Sequence, residues 1–338
     1  MLTSSLACGP MSSEIIEAVF RYSNKFGVQL MLICSRNQVD ADHGYVFTTP
    51  RYTEYIDHLR RAYPQASVVI CRDHCGPGFG LKPEHNLDQT RRTIRCDLEN
   101  GFDLIHLDLC HMQIEHDEKI RLTTELMQFA LDINPNVMFE IGTDENVGVT
   151  ETDAGKIVAG VRACQRVAAP VFYVVQTGSL VREAHNTGTF DADAVGEMYR
   201  AISGCGVRLK EHNADYLSRK QLELRRGIVD AVNIAPQLGV VQTNYILSQA
   251  LIYGVDTQPF VAEVTEGGRW KKWVDTSHAS QQMLAVLVAG HYHFNGPAYK
   301  ELADQLSKVI SVREGIIHEV TKVIEHYLFA LEGDNASC

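Results

Sequence analysis

The sequence predicts a (β/α)8 barrel followed by a mainly helical C-terminal extension, and three observations predict it. Eight short β-rich runs alternate with stretches of helical periodicity, at a spacing close to the ~30 residues of a βαβ unit. Most of these runs are continuously apolar, as expected of strands covered by helices on one face and by a packed interior on the other. Eight such units in a row favour closure over an open doubly wound sheet.

The expected strands are residues 4–8, 28–35, 67–72, 103–109, 137–141, 171–176, 206–211 and 231–235. The helical patterns between them cover 14–22, 52–62, 86–100, 119–131, 154–166, 192–202 and 218–226. After Ala235 the alternation stops. The rest reads as the eighth barrel helix and, from about residue 250 to 338, a helical extension with apolar residues at three- and four-residue spacing over 306–331. No low-complexity linker interrupts the chain, so residues 1–338 are expected to form one domain.

Composition excludes several classes. No run of about 18 apolar residues occurs, so no membrane span is expected. The start, Met1 to Cys8, lacks a basic segment and an apolar core, which points to a cytoplasmic chain. Nine cysteines, with no CxxC pair, suggest reduced thiols rather than a disulfide scaffold. A net charge of -11 without a basic stripe argues against nucleic-acid binding. A homo-oligomer is expected, because the outer helices of barrels commonly pair between subunits.

Catalytic groups of such barrels lie at the C-terminal ends of the strands. The second run ends in Ser35-Arg36-Asn37-Gln38 and the third in Arg72-Asp73-His74-Cys75-Gly76-Pro77-Gly78. The fourth carries His106 and Asp108, the fifth Glu140 then Asp144, and the sixth Gln176 then Ser179. The seventh ends in Glu211-His212-Asn213 and the eighth in Asn233-Ile234-Ala235-Pro236. Imidazole with carboxylate suits zinc or a similar divalent ion such as manganese. His74, His212 and Glu140 are the expected metal ligands. Asp73, Asp108 and Glu140 are the expected catalytic carboxylates, Asp73 moving a hydroxyl proton as base and acid. Asn37, Gln38, Gln176, Ser179, Asn213 and Asn233 are the expected substrate contacts.

Other features receive blander readings. Cys71 and Cys75 read as inert thiols, His106 as barrel interior, His111 and His116 as loop, and His291-Tyr292-His293 as a surface turn. Trp270-Lys271-Lys272-Trp273 reads as a substrate-side loop or a packing contact. The run Gly76-Pro77-Gly78-Phe79-Gly80 is not followed by Lys-Ser/Thr and is no P-loop. It lets the chain turn sharply after the third strand.

Ordered short stretches also carry a resemblance. They are Asn37-Gln38-Val39 with Gly44-Tyr45 and Thr49-Pro50, Asp73-His74 with Gly76-Pro77, and Ile105-His106-Leu107-Asp108. They continue with Ile141-Gly142-Thr143, Val174-Val175-Gln176 with Gly178, Glu211-His212 with Asp215-Tyr216, and Trp270-Lys271-Lys272. In this order, from about residue 5 to 330, the chain resembles the tagatose-1,6-bisphosphate aldolase accessory-subunit family, itself similar to class II aldolases.

The resemblance implies a TIM barrel acting in ketose-phosphate metabolism, on a sugar or sugar phosphate. It implies either a metal-dependent aldolase or ketose epimerase, or a non-catalytic subunit that stabilises a separate catalytic aldolase chain. Asp73 matches the aldolase acid/base, His74 the adjacent metal ligand and His212 the histidine after strand 7, while Glu140 sits near the strand 5 carboxylate. Where aldolases carry a further histidine after strand 6, this chain has Thr177-Gly178-Ser179. The expected substitutes are Glu140, a folded-back His185, or no catalytic metal at all. The phosphate is expected near Asn213-Ala214 and residues 233–237, although Pro236 removes one amide donor there.

Overall fold

The structure is a computed structural model and describes residues 2–274 and 281–333. Eight parallel strands close into a barrel: β1 (Leu6–Cys8), β2 (Leu30–Ser35), β3 (Val68–Cys75), β4 (Leu104–Leu107), β5 (Met138–Gly142), β6 (Phe172–Val174), β7 (Arg208–Glu211) and β8 (Ala231–Ile234). Each pairs with its neighbours in chain order, and β8 returns to β1 with Ala7 opposite Asn233. The fold is therefore a TIM barrel, with every strand in the order the apolar runs indicate.

Helices α1 (Ser13–Phe26), α2 (Thr49–Ala62), α3 (Leu87–Glu99), α4 (His116–Ile133), α5 (Ala154–Gln165), α6 (Ala192–Ser203), α7 (Arg219–Glu223) and α8 (Pro236–Tyr253) alternate with the strands. The extension holds α9 (Gln258–Gly267), α10 (Gln281–Ala289), α11 (Pro297–Leu306) and α12 (Val312–Glu332). Local chemistry sets the helix ends. Ser12 caps α1 by accepting the Ile15 N–H at 3.2 Å, and Gly27, at φ 68°, closes it in the left-handed region that suits glycine. No helix among the described residues is long and apolar enough to cross a membrane.

The two-residue strand period divides the barrel interior into layers. Ala7, Met31, Ile33, Cys71, Leu104, Phe172 and Ala231 form a small apolar cluster inside the barrel, separate from the main core. Two residues further along their strands stand Asp73 after Cys71, His106 after Leu104, and Glu140 after Met138. The polar groups are thus stacked directly on the apolar filling, at the C-terminal end of the barrel. The main core lies between the strands and the helices.

Strand β3 departs from the expected end at residue 72. It continues to Cys75, with its register to β4 shifting between Arg72 and Cys75. The irregularity places Cys75 in the outer core, whereas simple alternation puts it beside Asp73. His74 takes a left-handed φ of 44° there, a strained position of the kind that clusters at functional sites. Both Cys71 and Cys75 are buried free thiols, and burial pushes Cys75 up to about 12. The eight cysteines among the described residues are all free; Cys338 lies outside those residues.

Arg72 is fully buried and anchors this strand end from the helix side. Its Nε and Nη2 donate to the Asp97 carboxylate at 2.6 and 2.7 Å, and Nη1 donates to the carbonyls of Cys34 and Val39 at 3.1 and 2.5 Å. Removing one partner of such a pair strands a buried charge. Asp97→Ala should lower stability by about 3–5 kcal/mol in urea unfolding, whereas the double replacement Arg72→Met with Asp97→Leu should cost less. Equal losses would show that the pairing is not the main term.

Candidate metal and substrate site

Three imidazoles surround one carboxylate at the mouth of the barrel. Asp73 Oδ1 lies 3.2 Å from His106 Nδ1, 3.6 Å from His212 Nδ1 and 3.8 Å from His74 Nε2. One donor atom from each of the four residues lies within 4.8 Å of all the others. Asp73 and His74 keep 18% and 20% of their side-chain surface, while His106 is fully buried.

The outward nitrogens fix the tautomers. His74 Nδ1 donates to Asp108 Oδ2 at 2.7 Å, His212 Nε2 donates to Glu140 Oε1 at 2.7 Å, and His106 Nε2 donates to the Gly142 carbonyl at 2.8 Å. A carbonyl can only accept, so neutral His106 carries its lone pair on Nδ1. That nitrogen also accepts the long 3.2 Å bond from the His74 backbone N–H. In all three rings the nitrogen turned toward Asp73 is the one not spent on these acceptors, the arrangement that a fixed hydrogen-bond acceptor imposes on a metal-binding histidine.

The acceptors are themselves held. Glu140 is fully buried, and its second oxygen accepts from Lys210 Nζ at 2.6 Å. Asp108 accepts from Thr143 Oγ1 and from the Cys110 N–H, both at 2.9 Å. These carboxylates orient rings. Glu140, expected as a ligand, has one oxygen on Lys210 and one on His212. Asp108, expected to shuttle protons, is 2% exposed and committed to three donors.

Burial acts on every group here and charge decides the outcome. Burial would lower His74, but Asp73 and Asp108 raise it to about 9. Burial holds His212 down to about 4, against the pull of Asp73 and Glu140. Burial would raise Asp73, and the imidazolium of His74 instead holds it well below the usual carboxylate range.

The expected substrate contacts divide. Asn213 (φ 53°) lines a cavity of about 360 Å³ with His74, Phe79, Asp144, Lys272 and Trp273. Asn233 is 6% exposed with both amide atoms unpartnered, and Gln176 has an unpartnered Oε1. Gln176 lines a second cavity, about 340 Å³, behind Asp108 and Thr143. Asn37 is half-buried. Gln38 is taken up locally, accepting from the Ser35 N–H at 2.7 Å and donating to Met11 Sδ at 3.4 Å. Ser179, together with Thr177, donates to Glu211, which also holds Arg225. His185 is exposed on a two-residue strand pair and does not fold back toward the cluster. His291, read as part of a surface turn, is 1% exposed and packs beside Gly239.

Two members of this constellation have no role assigned from the sequence: His106, which reads there as barrel interior, and Asp144, which reads only as a polar group after the fifth strand. Asp144 is buried with a free Oδ2, and burial pushes it up to about 7. Only its place two residues past Gly142 hinted at a position on the mouth.

No protein-family profile matches the sequence, and no curated protein matches it. Solved structures do. A Sinorhizobium meliloti 1021 protein described as a probable tagatose 6 phosphate kinase superposes with a TM-score of 0.79 at 17% identity, covering 96% of this chain and 99% of that one. The YdjI aldolase of Escherichia coli K12 gives 0.58 at 12% identity (96% and 91% covered). The fructose-bisphosphate aldolase of Campylobacter jejuni gives 0.62 at 11% (98% and 90%). At these identities the likeness establishes a common barrel fold.

In protein stripped of metal, His74 should titrate near pH 9 and His212 near pH 4, as two separate histidine NMR transitions. A raised imidazole contributes stability that is complete below its unfolded value near 6.5 and is lost as pH rises through about 9. The stability gap between the wild-type chain and His74→Gln should therefore shrink from pH 6 to pH 10. A constant gap would contradict the ion pairs assigned to His74.

Proposed function

We propose that the chain is a metal-dependent enzyme of class II aldolase type that cleaves or epimerises a ketose or ketose phosphate. The observation that carries this reading is tautomeric: three imidazoles around Asp73 each spend their far nitrogen on a fixed acceptor and turn the near one inward. His74, His106 and His212 would hold the ion. Three nitrogen donors with room for a further ligand suit zinc, with manganese as the alternative. When bound, a divalent cation polarises the ketose carbonyl and stabilises the charge left on its oxygen as the neighbouring carbon–carbon bond breaks.

The chain's own groups supply the rest. Asp73 is ionised at neutral pH and keeps part of its side chain exposed, so it accepts the proton of the substrate hydroxyl on the far side of the breaking bond and returns it when the bond re-forms. Glu140 and Asp108 keep His212 and His74 in their inward-facing tautomers. Asn213 and Asn233 offer amides for sugar hydroxyls. Epimerisation needs the same cleavage, with the aldehyde turned before the bond closes. The alternative of a purely supporting subunit has less behind it, since support of a partner aldolase chain makes no use of three pre-oriented rings.

Metal content by inductively coupled plasma mass spectrometry, on protein purified without a histidine tag, tests the reading. About one equivalent of zinc or manganese is expected, lost in His106→Ala and in His212→Ala, and held about 10- to 100-fold more weakly in Glu140→Gln. Asp73→Asn should keep the metal and lose turnover in a ketose and ketose-phosphate cleavage and epimerisation screen. Protein that neither contains nor takes up metal would sink this mechanism, and a pull-down for a partner aldolase subunit would follow.

A further inference from the structure

Barrel enzymes frequently hold a phosphate with the loops after strands 7 and 8. In this chain those donors are already used. The N–H groups of Ala235 and Gln237 both donate to Asp215 Oδ1, at 2.9 and 2.8 Å, and Pro236 between them has no N–H. The Ala214 N–H donates to the Asn233 carbonyl at 3.0 Å, the Tyr216 N–H to Gln237 Oε1 at 2.7 Å, and the Leu238 N–H to the Ala235 carbonyl at 3.1 Å. Asp215 is 1% exposed. A carboxyl group of the chain itself thus fills the cradle that an incoming anion would need, and its oxygen accepts these bonds whether or not it is protonated.

Positive charge reaches the cavity beside His74 from elsewhere. Lys272 lines that cavity with Trp273, on the short helix Arg269–Lys272 of the C-terminal extension. Its ammonium lies 4.4 Å from the Trp273 ring centroid, and the Arg269 guanidinium lies 5.1 Å from that of Tyr292. Both cations are exposed, and neither forms an ion pair among the described residues. The platform beneath them is fixed: Trp273 Nε1 donates to the Tyr292 hydroxyl at 3.2 Å, and Asn295 Nδ2 donates to the carbonyls of Tyr45 and Val46 at 2.9 and 2.8 Å. The carboxylates on the cavity wall, Asp144 and Glu145, face the same space. Lys272 is the one lysine or arginine lining it among the described residues.

We infer that Lys272 determines specificity by holding an anionic group of the substrate, a phosphate or a carboxylate, from the C-terminal extension and not from the loops after β7 and β8. This rests on the ketose reading above and adds the charge the substrate carries and the residue that grips it.

The test is tryptophan fluorescence on the metal-loaded full chain, backed by calorimetry; both tryptophans of the sequence, Trp270 and Trp273, lie on this segment. The probes are inorganic phosphate, a ketohexose 6-phosphate, a hex-2-ulosonate and the neutral ketohexose. The wild-type chain should bind one of the two charged ketoses more tightly than the neutral one, and which it prefers identifies the anion. Lys272→Gln should weaken that ligand about tenfold or more, leave the neutral ketose and the metal content unchanged, and be largely rescued by Lys272→Arg. In turnover, the loss should appear in KM and spare kcat. Undiminished affinity in Lys272→Gln overturns the inference, as does failure of both charged ketoses to bind the wild-type chain. Absence of metal with Lys272-dependent anion binding intact would instead overturn the metal mechanism alone.

Discussion

The interior of an eight-stranded barrel is filled by side chains two residues apart on each strand, and this constraint decides what can stand at the mouth. One step below the mouth the layer is apolar, with Cys71, Leu104 and Phe172 filling the section. One step above, Asp73, His106 and Glu140 must share the same narrow space, joined by Lys210 and His212 from β7 and the turn after it. Buried charges in such a space are tolerable only when each is paired and its remaining hydrogen-bonding capacity is met. Glu140 does this for two neighbours at once, with one oxygen on Lys210 and the other on His212. The ammonium of Lys210 lies 5.1 Å from the Phe172 ring centroid, joining the two layers. A layer satisfied in this way has few alternative arrangements, which is what a pre-organised site requires.

The same bookkeeping explains where the histidines stand. The end of β6 has no room for an imidazole at its centre: Gly178 is at φ 88°, and a Cβ there would lie 2.1 Å from the Thr189 carbonyl oxygen. Thr177 and Ser179 on either side donate to Glu211, which is locked to Arg225. That corner is built to hold a buried ion pair. The third ring comes from β4, where His106 finds its acceptor in the carbonyl of Gly142, itself at φ 93°. An imidazole absent from β6 therefore leaves the number of rings around Asp73 unchanged.

Legibility in the sequence followed the range of the interaction. The eight strands were readable because each is a local apolar run, and Asp73, His74 and His212 because they sit next to turn signals at strand ends. His106 was read only as barrel interior, which it is, because its significance depends on a carbonyl 36 residues away and on which nitrogen that carbonyl claims. Glu140 and Asp108 stood out as acids, yet their work as orienters depends on partners from other strands. The irregularity in β3 also escaped, since nothing in Arg72-Asp73-His74-Cys75 marks which residue breaks the alternation. Gln38 and Ser179 looked like sugar contacts by type and place. In the fold Gln38 accepts from the Ser35 N–H and Ser179 donates to Glu211, bonds that only the folded chain reveals.

The C-terminal extension follows from α8. A barrel helix normally shows one apolar stripe, but α8 carries apolar residues around its circumference and is covered on both sides. Its buried Gln242 accepts from the Ser12 hydroxyl on the barrel side and donates to the Tyr299 hydroxyl of α11 on the other, at 2.6 and 2.7 Å. A helix buried on two faces needs a second layer, and α9 to α12 provide it. With that layer in place, the short helix Arg269–Lys272 lies near the barrel mouth, and Asn295 ties the extension to the loop after β2. Lys272 is thus delivered to the cavity by packing that begins on the far side of α8. In an acidic chain whose strand-8 amides are closed by Asp215, that packing gives the mouth of the barrel its positive charge.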